Sequence, residues 1–257
     1  MTATLWQIPV SHYSEKARWA LERKGIEHER RSPPPPSHIA IALWLTRGAS
    51  HTFPVLVLDG RAIGDSAAII AALEEVQPDP PLYPDDPSDR RRALEIEEFF
   101  GRELGPYARA LVFHDLRDAP GGFADFAAPM LPGPIRDTRA GRAAGGALAR
   151  TYTQLRFRVA GEETSEQARA KILAALDRLE RELDAGDGTY MVGGRFSVAD
   201  LTAAALFGPI VQPPEGPDVT AEPPPAFEEF RAEIADRAGY RWVQETFARE
   251  RGDARRP

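Results

Sequence analysis

Apolar and polar positions change their period along this chain, and the change divides it. Up to residue 76, strand-like and helix-like segments alternate. Residues 3–8 (ATLWQI) read as a strand, and 14–24 as a helix with Ala17, Ala20 and Leu21 on one face and Gly25 as its stop. IEHERR fits a further short strand, whereas SPPPPS can be neither helix nor central strand and reads as a loop. HIAIALWLTRG suits either a short helix or a buried strand, the helix being favoured. FPVLVLDGRAIGD predicts a hairpin, with Val55-Leu56-Val57-Leu58 turning at Asp59-Gly60 into Arg61-Ala62-Ile63. DSAAIIAALEEV then sets Ile69, Ile70 and Leu73 at helical spacing. The sum is βαβ, a helix, then ββα.

Residues 77–88 are rich in proline and aspartate, and nearly everything beyond them carries helical periodicity. Residues 89–113 read as one long helix with Leu94, Phe99, Phe100 and Leu104 among its apolar positions. SEQARAKILAALDRLERELDAG places Ala168, Ile172, Leu176, Leu179 and Leu183 on one face and stops at Gly186. FSVADLTAAALFG and residues 225–251 add further helix. A switch of composition at a proline-rich connection marks a domain boundary: an α/β domain over 1–78, a linker over 79–88, an all-helical domain over 89–250 and a frayed tail over 251–257. Residues 117–162, dense in Gly, Pro and Ala, read as an irregular loop or a lid.

Composition narrows the chemistry. Of 257 residues, 42% are hydrophobic and 28% charged, which suits a packed core, and the net charge of -7 leaves no basic footprint for nucleic acid. The absence of cysteine removes disulfides, thiolate metal sites and any cysteine nucleophile. No stretch resembles a signal peptide, and no apolar run approaches the roughly 18 residues of a bilayer span, so a cytoplasmic protein is the default expectation. No His and carboxylate spacing suggests a metal, and GRAAGG lacks both the preceding strand and the Lys-Ser/Thr of a phosphate loop.

Polar residues gather at three helix starts. Ser11-His12-Tyr13-Ser14 joins the first strand to the first helix, where a serine caps free N–H groups and where those same donors attract an anion. Asp65-Ser66 opens the helix after the hairpin, with Ser66 as the cap and Asp65 complementing the dipole. Ser197-Val198-Ala199-Asp200 has the form of a capping box and a folding role. His51 reads as a solvated loop residue and His114 as a surface residue.

Four of these patterns, in this order, resemble the glutathione S-transferase superfamily: SHYSEKARWAL, HTFPVLVLDGRAIGDSAAI, FSVADLTAAAL and AGYRWVQETFARER. The resemblance implies a thioredoxin-like N-terminal domain followed by an all-α domain. It also implies a cis bond at Phe53-Pro54, where the Phe53 backbone pairs with the cysteinyl unit of glutathione as an added strand. Ser66 and the helix amides would hold the γ-glutamyl carboxylate, Asp65 its ammonium, and His51 would lie near the glycyl carboxylate. Ser11 matches the leading position of the family's active-site turn and would face the sulfur; Ser14, at the trailing position, would cap the helix and is the alternative. His12 departs from the family's usual Pro or Ser.

With no cysteine of its own, such an enzyme would take its thiol from glutathione, and a hydroxyl donor beside a helix N-terminus favours the thiolate. The expected activity is thiolate attack on an apolar electrophile between the domains, its choice set within 117–162. A noncatalytic binding protein of the same fold and a glutathione-dependent isomerase or lyase are the rival readings. Glutaredoxin-like thiol transfer through the protein is not expected. Homodimerisation is implied, with Phe99, Phe100 and Arg90-Arg91-Arg92 on or near the contact.

Overall fold

The computed structural model describes residues 1–33, 37–117, 119, 121–157, 161–217 and 223–252. The core of SPPPPS and the last residues of the expected tail lie outside them. A four-stranded sheet has the order β2-β1-β3-β4, formed by β1 (Ala3–Trp6), β2 (Glu29–Arg31), β3 (Val55–Leu58) and β4 (Arg61–Gly64). β1 pairs parallel to β2 and antiparallel to β3, with Leu5 opposite Leu56. The hairpin turns at Asp59 and Gly60, both with positive φ, as a two-residue connection between twisted strands requires.

Strand alternation sorts the residues onto two faces. Ala3, Leu5, Leu56, Leu58 and Ile63 meet α1 (His12–Arg23) and α3 (Ser66–Val76), whereas Trp6, Val55 and Ala62 meet α2 (Ser37–Leu45) on the other side. HIAIALWLTRG is therefore helical. The thioredoxin-like arrangement is as expected.

The remainder is helical: α4 (Pro87–Glu103), α5 (Gly105–Asp115), α6 (Gly122–Ala127), α7 (Gly133–Arg136), α8 (Arg139–Phe157), α9 (Glu162–Ala185), α10 (Val198–Val211), α11 (Pro225–Ile234) and α12 (Ala238–Thr246), closed by a wide turn over Phe247–Arg251. Among these, α10 is buried around nearly its whole circumference and forms the centre. The Asp200 carboxylate accepts from the N–H groups of Met191 and Ser197 and from the Ser197 hydroxyl, the capping box expected there.

Four expectations require correction. The long helix over 89–113 is two helices, because Pro106 has no N–H to continue α4 and its ring collides with the preceding turn. Phe100 lies in the core and cannot be on the surface, whereas Phe99 is half-buried and the three arginines are exposed. Residues 117–162 are mostly helix rather than loop. Gly146 explains why, since a Cβ there would fall 2.7 Å from the Ala124 backbone, so the glycine lets α8 pack directly on α6. Finally, Arg251 is not frayed: it is buried, 2.6 Å from Glu15, and also paired with Glu22.

The two halves meet along α1. Trp19 packs between Phe196 and Phe247. Lys16 of α1 donates to Glu97 of α4 at 2.6 Å, with side-chain exposures of 3% and 7%. Removing one partner of such a pair strands a buried charge, at a cost of about 3–5 kcal/mol. Urea unfolding should show that loss in Lys16→Met, and Lys16→Met combined with Glu97→Leu should recover most of it. An equal loss in both proteins would mean that the charge pair does not hold the halves together.

Candidate active site

Ser11 ends the β1 connection in extended backbone and caps α1, its hydroxyl accepting from the Ser14 N–H at 3.4 Å. Ser14, expected as the cap, is instead fully buried within the first turn, and its hydroxyl accepts from the Ile8 N–H at 3.2 Å. The capping role expected of Ser14 thus falls to Ser11. Ser11 both caps and lines the cavity, whereas Ser14 ties the first turn to the strand and lies outside the cavity wall. Among the described residues the Ser11 O–H has no acceptor, and Ser11 lines the cavity beside the N–H groups at the start of α1.

The knot's other members are committed elsewhere. The Tyr13 hydroxyl donates to the Gly101 carbonyl at 2.8 Å, and burial pushes its pKa up to about 12, so its single proton is not offered to a thiol. His12 Nε2 lies 3.0 Å from the Gly105 carbonyl and must donate to it. Burial, with the Arg109 charge adding to it, pushes the His12 pKa down to about 3 despite that bond. Gly105 permits this junction, because a Cβ there would come 2.2 Å from the Tyr13 oxygen.

Across the cavity the Phe53-Pro54 bond is cis. Among the described residues the Phe53 N–H meets no acceptor, and its carbonyl takes only a 3.4 Å contact from the Thr52 hydroxyl. An extended peptide therefore finds an open backbone edge. Asp65, at φ 74°, caps α3 by accepting from the Ala67 and Ala68 N–H groups. This overturns the reading of Ser66 as the cap and takes two of the amides expected to hold a carboxylate. Ser66, the first residue of the helix, lines the cavity. The strained backbone at Asp65, worth roughly 1–3 kcal/mol, is typical of residues held for a site.

Ser11, His51, Phe53, Pro54, Asp65 and Ser66 thus share one cavity of about 870 Å³ between the sheet domain and the helices. His51 accepts from the Arg156 guanidinium at 3.0 Å, so Arg156 is the charged group at that edge. His114 is buried, not on the surface, and bonds Asp115 at 2.9 Å, away from the cavity.

Sequence reading did not identify His38, Arg109, Tyr152 or Arg156. His38 lies 3.2 Å from the Tyr152 hydroxyl, pairing α2 with α8, and burial followed by the Arg156 charge keeps its pKa low. Arg109 and Phe113 share one face of α5, and Phe113 stacks on Phe157 at 5.5 Å. The i,i+4 spacing of Arg109 and Phe113 was visible in the sequence, but nothing local indicated that their face would be the cavity. Among the described residues, no group of His, Asp and Glu is arranged to hold a metal, and no helix is long and apolar enough to cross a membrane.

A thioredoxin-like domain with a cis-proline edge, joined to a helical domain across one shared cavity, defines a two-domain class of protein. Comparison makes the assignment: residues 5–81 match the glutathione S-transferase N-terminal domain and 162–243 the C-terminal domain. The chain belongs to the glutathione S-transferase superfamily. A probable maleylacetoacetate isomerase from Caenorhabditis elegans is 26% identical over 196 residues, covering 76% of this chain and 73% of its own. A glutathione S-transferase from Methylobacterium radiotolerans, solved in complex with glutathione sulfonate, superposes with a TM-score of 0.59 at 23% identity, covering 99% of this chain and 94% of its own. A maleylacetoacetate isomerase from Anaeromyxobacter dehalogenans superposes with a TM-score of 0.60 at 19% identity, covering 98% and 90%.

The geometry of His12 has a pH consequence. Its folded pKa of about 3 lies below the unfolded value of 6.5, so the unfolded chain takes up a proton that the folded chain refuses. Stability is full above about pH 6.5 and is lost as pH falls through that value towards 3. At pH 5 the loss is about 2 kcal/mol relative to neutral pH. Denaturant unfolding of His12→Gln, whose amide can still donate to Gly105, should show a correspondingly flatter decline; parallel profiles would overturn the assignment.

Proposed function

We propose that the protein is a glutathione transferase-type enzyme whose Ser11 hydroxyl holds the glutathione thiolate. The observation that carries this reading is the convergence of a free hydroxyl at a helix start, an open cis-proline edge and the Asp65-Ser66 turn on one cavity. Glutathione would lie extended along Phe53, with its γ-glutamyl group at Asp65-Ser66 and its glycyl carboxylate towards His51 and Arg156. The Ser66 N–H and hydroxyl would receive the γ-glutamyl carboxylate, since Asp65 itself occupies the next two amides.

The chemistry follows from charge. A thiol of ordinary pKa is mostly protonated at pH 7, and each unit of depression requires about 1.4 kcal/mol of preference for the anion. One charge-assisted hydrogen bond from Ser11 is of that size. The thiol proton leaves to solvent, the sulfur forms a bond to the electrophilic carbon, and the leaving group departs with its bonding pair. The apolar wall excludes water and positions the second substrate.

A second reading is glutathione-dependent isomerisation, favoured by the two similar proteins that carry the isomerase name. There the carbon–sulfur bond that forms is later broken, so recovery of unchanged glutathione separates it from conjugation. A protein that binds glutathione yet transforms no electrophile would be the noncatalytic alternative.

Family members are typically dimeric, and a homodimer belongs to this reading, although Phe100 is buried and cannot contribute a contact. Sedimentation at micromolar concentration should give twice the chain mass; a monomer mass would overturn the dimer.

The serines supply the sharper test. Ser11→Ala should lose about 1 kcal/mol of stability as a cap, raise the pKa of bound glutathione and lower turnover by roughly ten- to hundredfold. Ser14→Ala should lose about 1 kcal/mol because the half-buried Ile8 N–H loses its acceptor, with the bound thiol titrating as in wild type. Ultraviolet titration of the bound thiolate together with thermal unfolding reads both effects. A bound thiol that titrates alike in wild type and Ser11→Ala would remove Ser11 from the mechanism.

A further inference from the structure

The charged residues on the cavity wall divide into those with a polar partner and one without. Lys16 is paired with Glu97 at 2.6 Å, Arg102 with Glu98 at 3.0 Å, and Arg156 donates to His51 at 3.0 Å. Asp65 is satisfied by the amides of α3. Arg109 alone, among the described residues of the wall, has neither a hydrogen bond nor an ion pair. Its Nε–H is buried without an acceptor, while its terminal nitrogens keep contact with the cavity space.

Its surroundings are aromatic. The guanidinium carbon lies 4.2 Å from the centre of the Phe157 ring, and the wall continues through Phe113, Phe126 and Tyr152. Stacking on a ring leaves the N–H edge of a guanidinium unused. Burial acts first on its charge, and the charged or titratable groups that follow are Tyr13, Arg156 and Tyr152, none of them a carboxylate. A desolvated cation with a free donor edge is costly to maintain unless a ligand completes it. The ligand that matches that edge is a planar anion taken two bonds at a time.

We infer that the second substrate is a flat electrophile carrying a carboxylate, with its apolar body against Phe113, Phe126 and Phe157 and its carboxylate on Arg109. This narrows the apolar electrophile expected from sequence and rests on the transferase reading. Tyr13 and His12 fit this role for Arg109, since one keeps its proton and the other stays neutral, leaving no competing charge on that side.

The test compares a chlorodinitrobenzoate with its methyl ester as electrophiles, in wild type, Arg109→Lys and Arg109→Met. In either substrate the glutathione sulfur bonds to the ring carbon and chloride leaves with its electron pair, so only the carboxylate differs. Wild type should favour the acid in kcat/KM by about tenfold or more, as expected for a hydrogen bond to a charged group. The ratio should fall to near one in Arg109→Met and be intermediate in Arg109→Lys. No preference for the acid in wild type, or a preference that survives in Arg109→Met, would overturn the inference.

Two calorimetric titrations separate this from failure of the transferase reading. Unreactive dinitrobenzoate, titrated without glutathione, should bind wild type at least about tenfold more tightly than Arg109→Met; equal affinities would overturn the anion site. Glutathione titrated into each protein shows whether Arg109 serves glutathione instead. A fall in glutathione affinity as large as the fall in acid preference would overturn the electrophile assignment. Wild type that binds dinitrobenzoate but not glutathione would sink the transferase reading and leave the anion site standing. Should Arg109→Met fail to fold, the wild-type acid preference and its reduction in Arg109→Lys decide the matter.

Discussion

Helix α1 is buried on nearly every side, and the rest of the molecule is arranged to satisfy what it buries. From Ser14 to Leu21 every residue is inaccessible, and half of these are polar or charged. An amphipathic helix would turn such residues to water; here each must find a protein partner or incur the desolvation cost of a buried polar group. Lys16 finds Glu97, Arg18 finds Glu15, Gln7 and the Pro9 carbonyl, and Ser14 finds the Ile8 N–H. Against the desolvation that burial imposes, the guanidinium groups of Arg18 and Arg251 hold the Glu15 carboxyl below its usual range. Because these partners come from residues as distant as Pro9, Glu97 and Arg251, satisfying one helix fixes the register of both domains and of the C-terminal turn.

The site is a by-product of that arrangement. α1 can be enclosed only if its N-terminus emerges where the sheet domain and α4 and α5 separate, and there Ser11 meets the cavity. His12 and Tyr13 anchor this end by bonding the carbonyls of Gly105 and Gly101. They resemble active-site residues by type and position, yet their donors are spent on joining the domains. The hydroxyl left over is that of Ser11. A rigid joint and a free donor thus come from the same four residues.

The two sides of the cavity come from different parts of the chain. The side with Ser11 and the Phe53-Pro54 edge is built from β1, α1 and the β3–β4 unit, inside the matched N-terminal domain, whereas Arg109, Phe113, Phe126, Tyr152 and Phe157 lie between the two matched regions. That second wall is therefore carried by helices that can vary without disturbing the joint at α1. Gly146, which brings α8 against α6, shows how a segment rich in small residues becomes a packed wall.

Local chemistry determined much of this protein before any tertiary contact. The hairpin at Asp59-Gly60, the helix from Ser66, the capping box at Ser197 and the composition switch near residue 80 all rest on interactions spanning a few residues, so a single sequence displays them. The pattern of motifs likewise singled out Ser11, Phe53-Pro54 and Asp65-Ser66, which the fold brings to one cavity. Four things were left to the tertiary structure: which serine caps α1, whether 117–162 packs, that Arg251 is ordered, and that Arg109 stands unpaired. Capping depends on where the strand delivers the chain, and packing on the surface that faces the glycines. The state of a charge depends on every group within a few ångströms, most of them distant in sequence. Electrostatic and steric contacts of that range leave no periodic trace along the chain, and only folding brings them together.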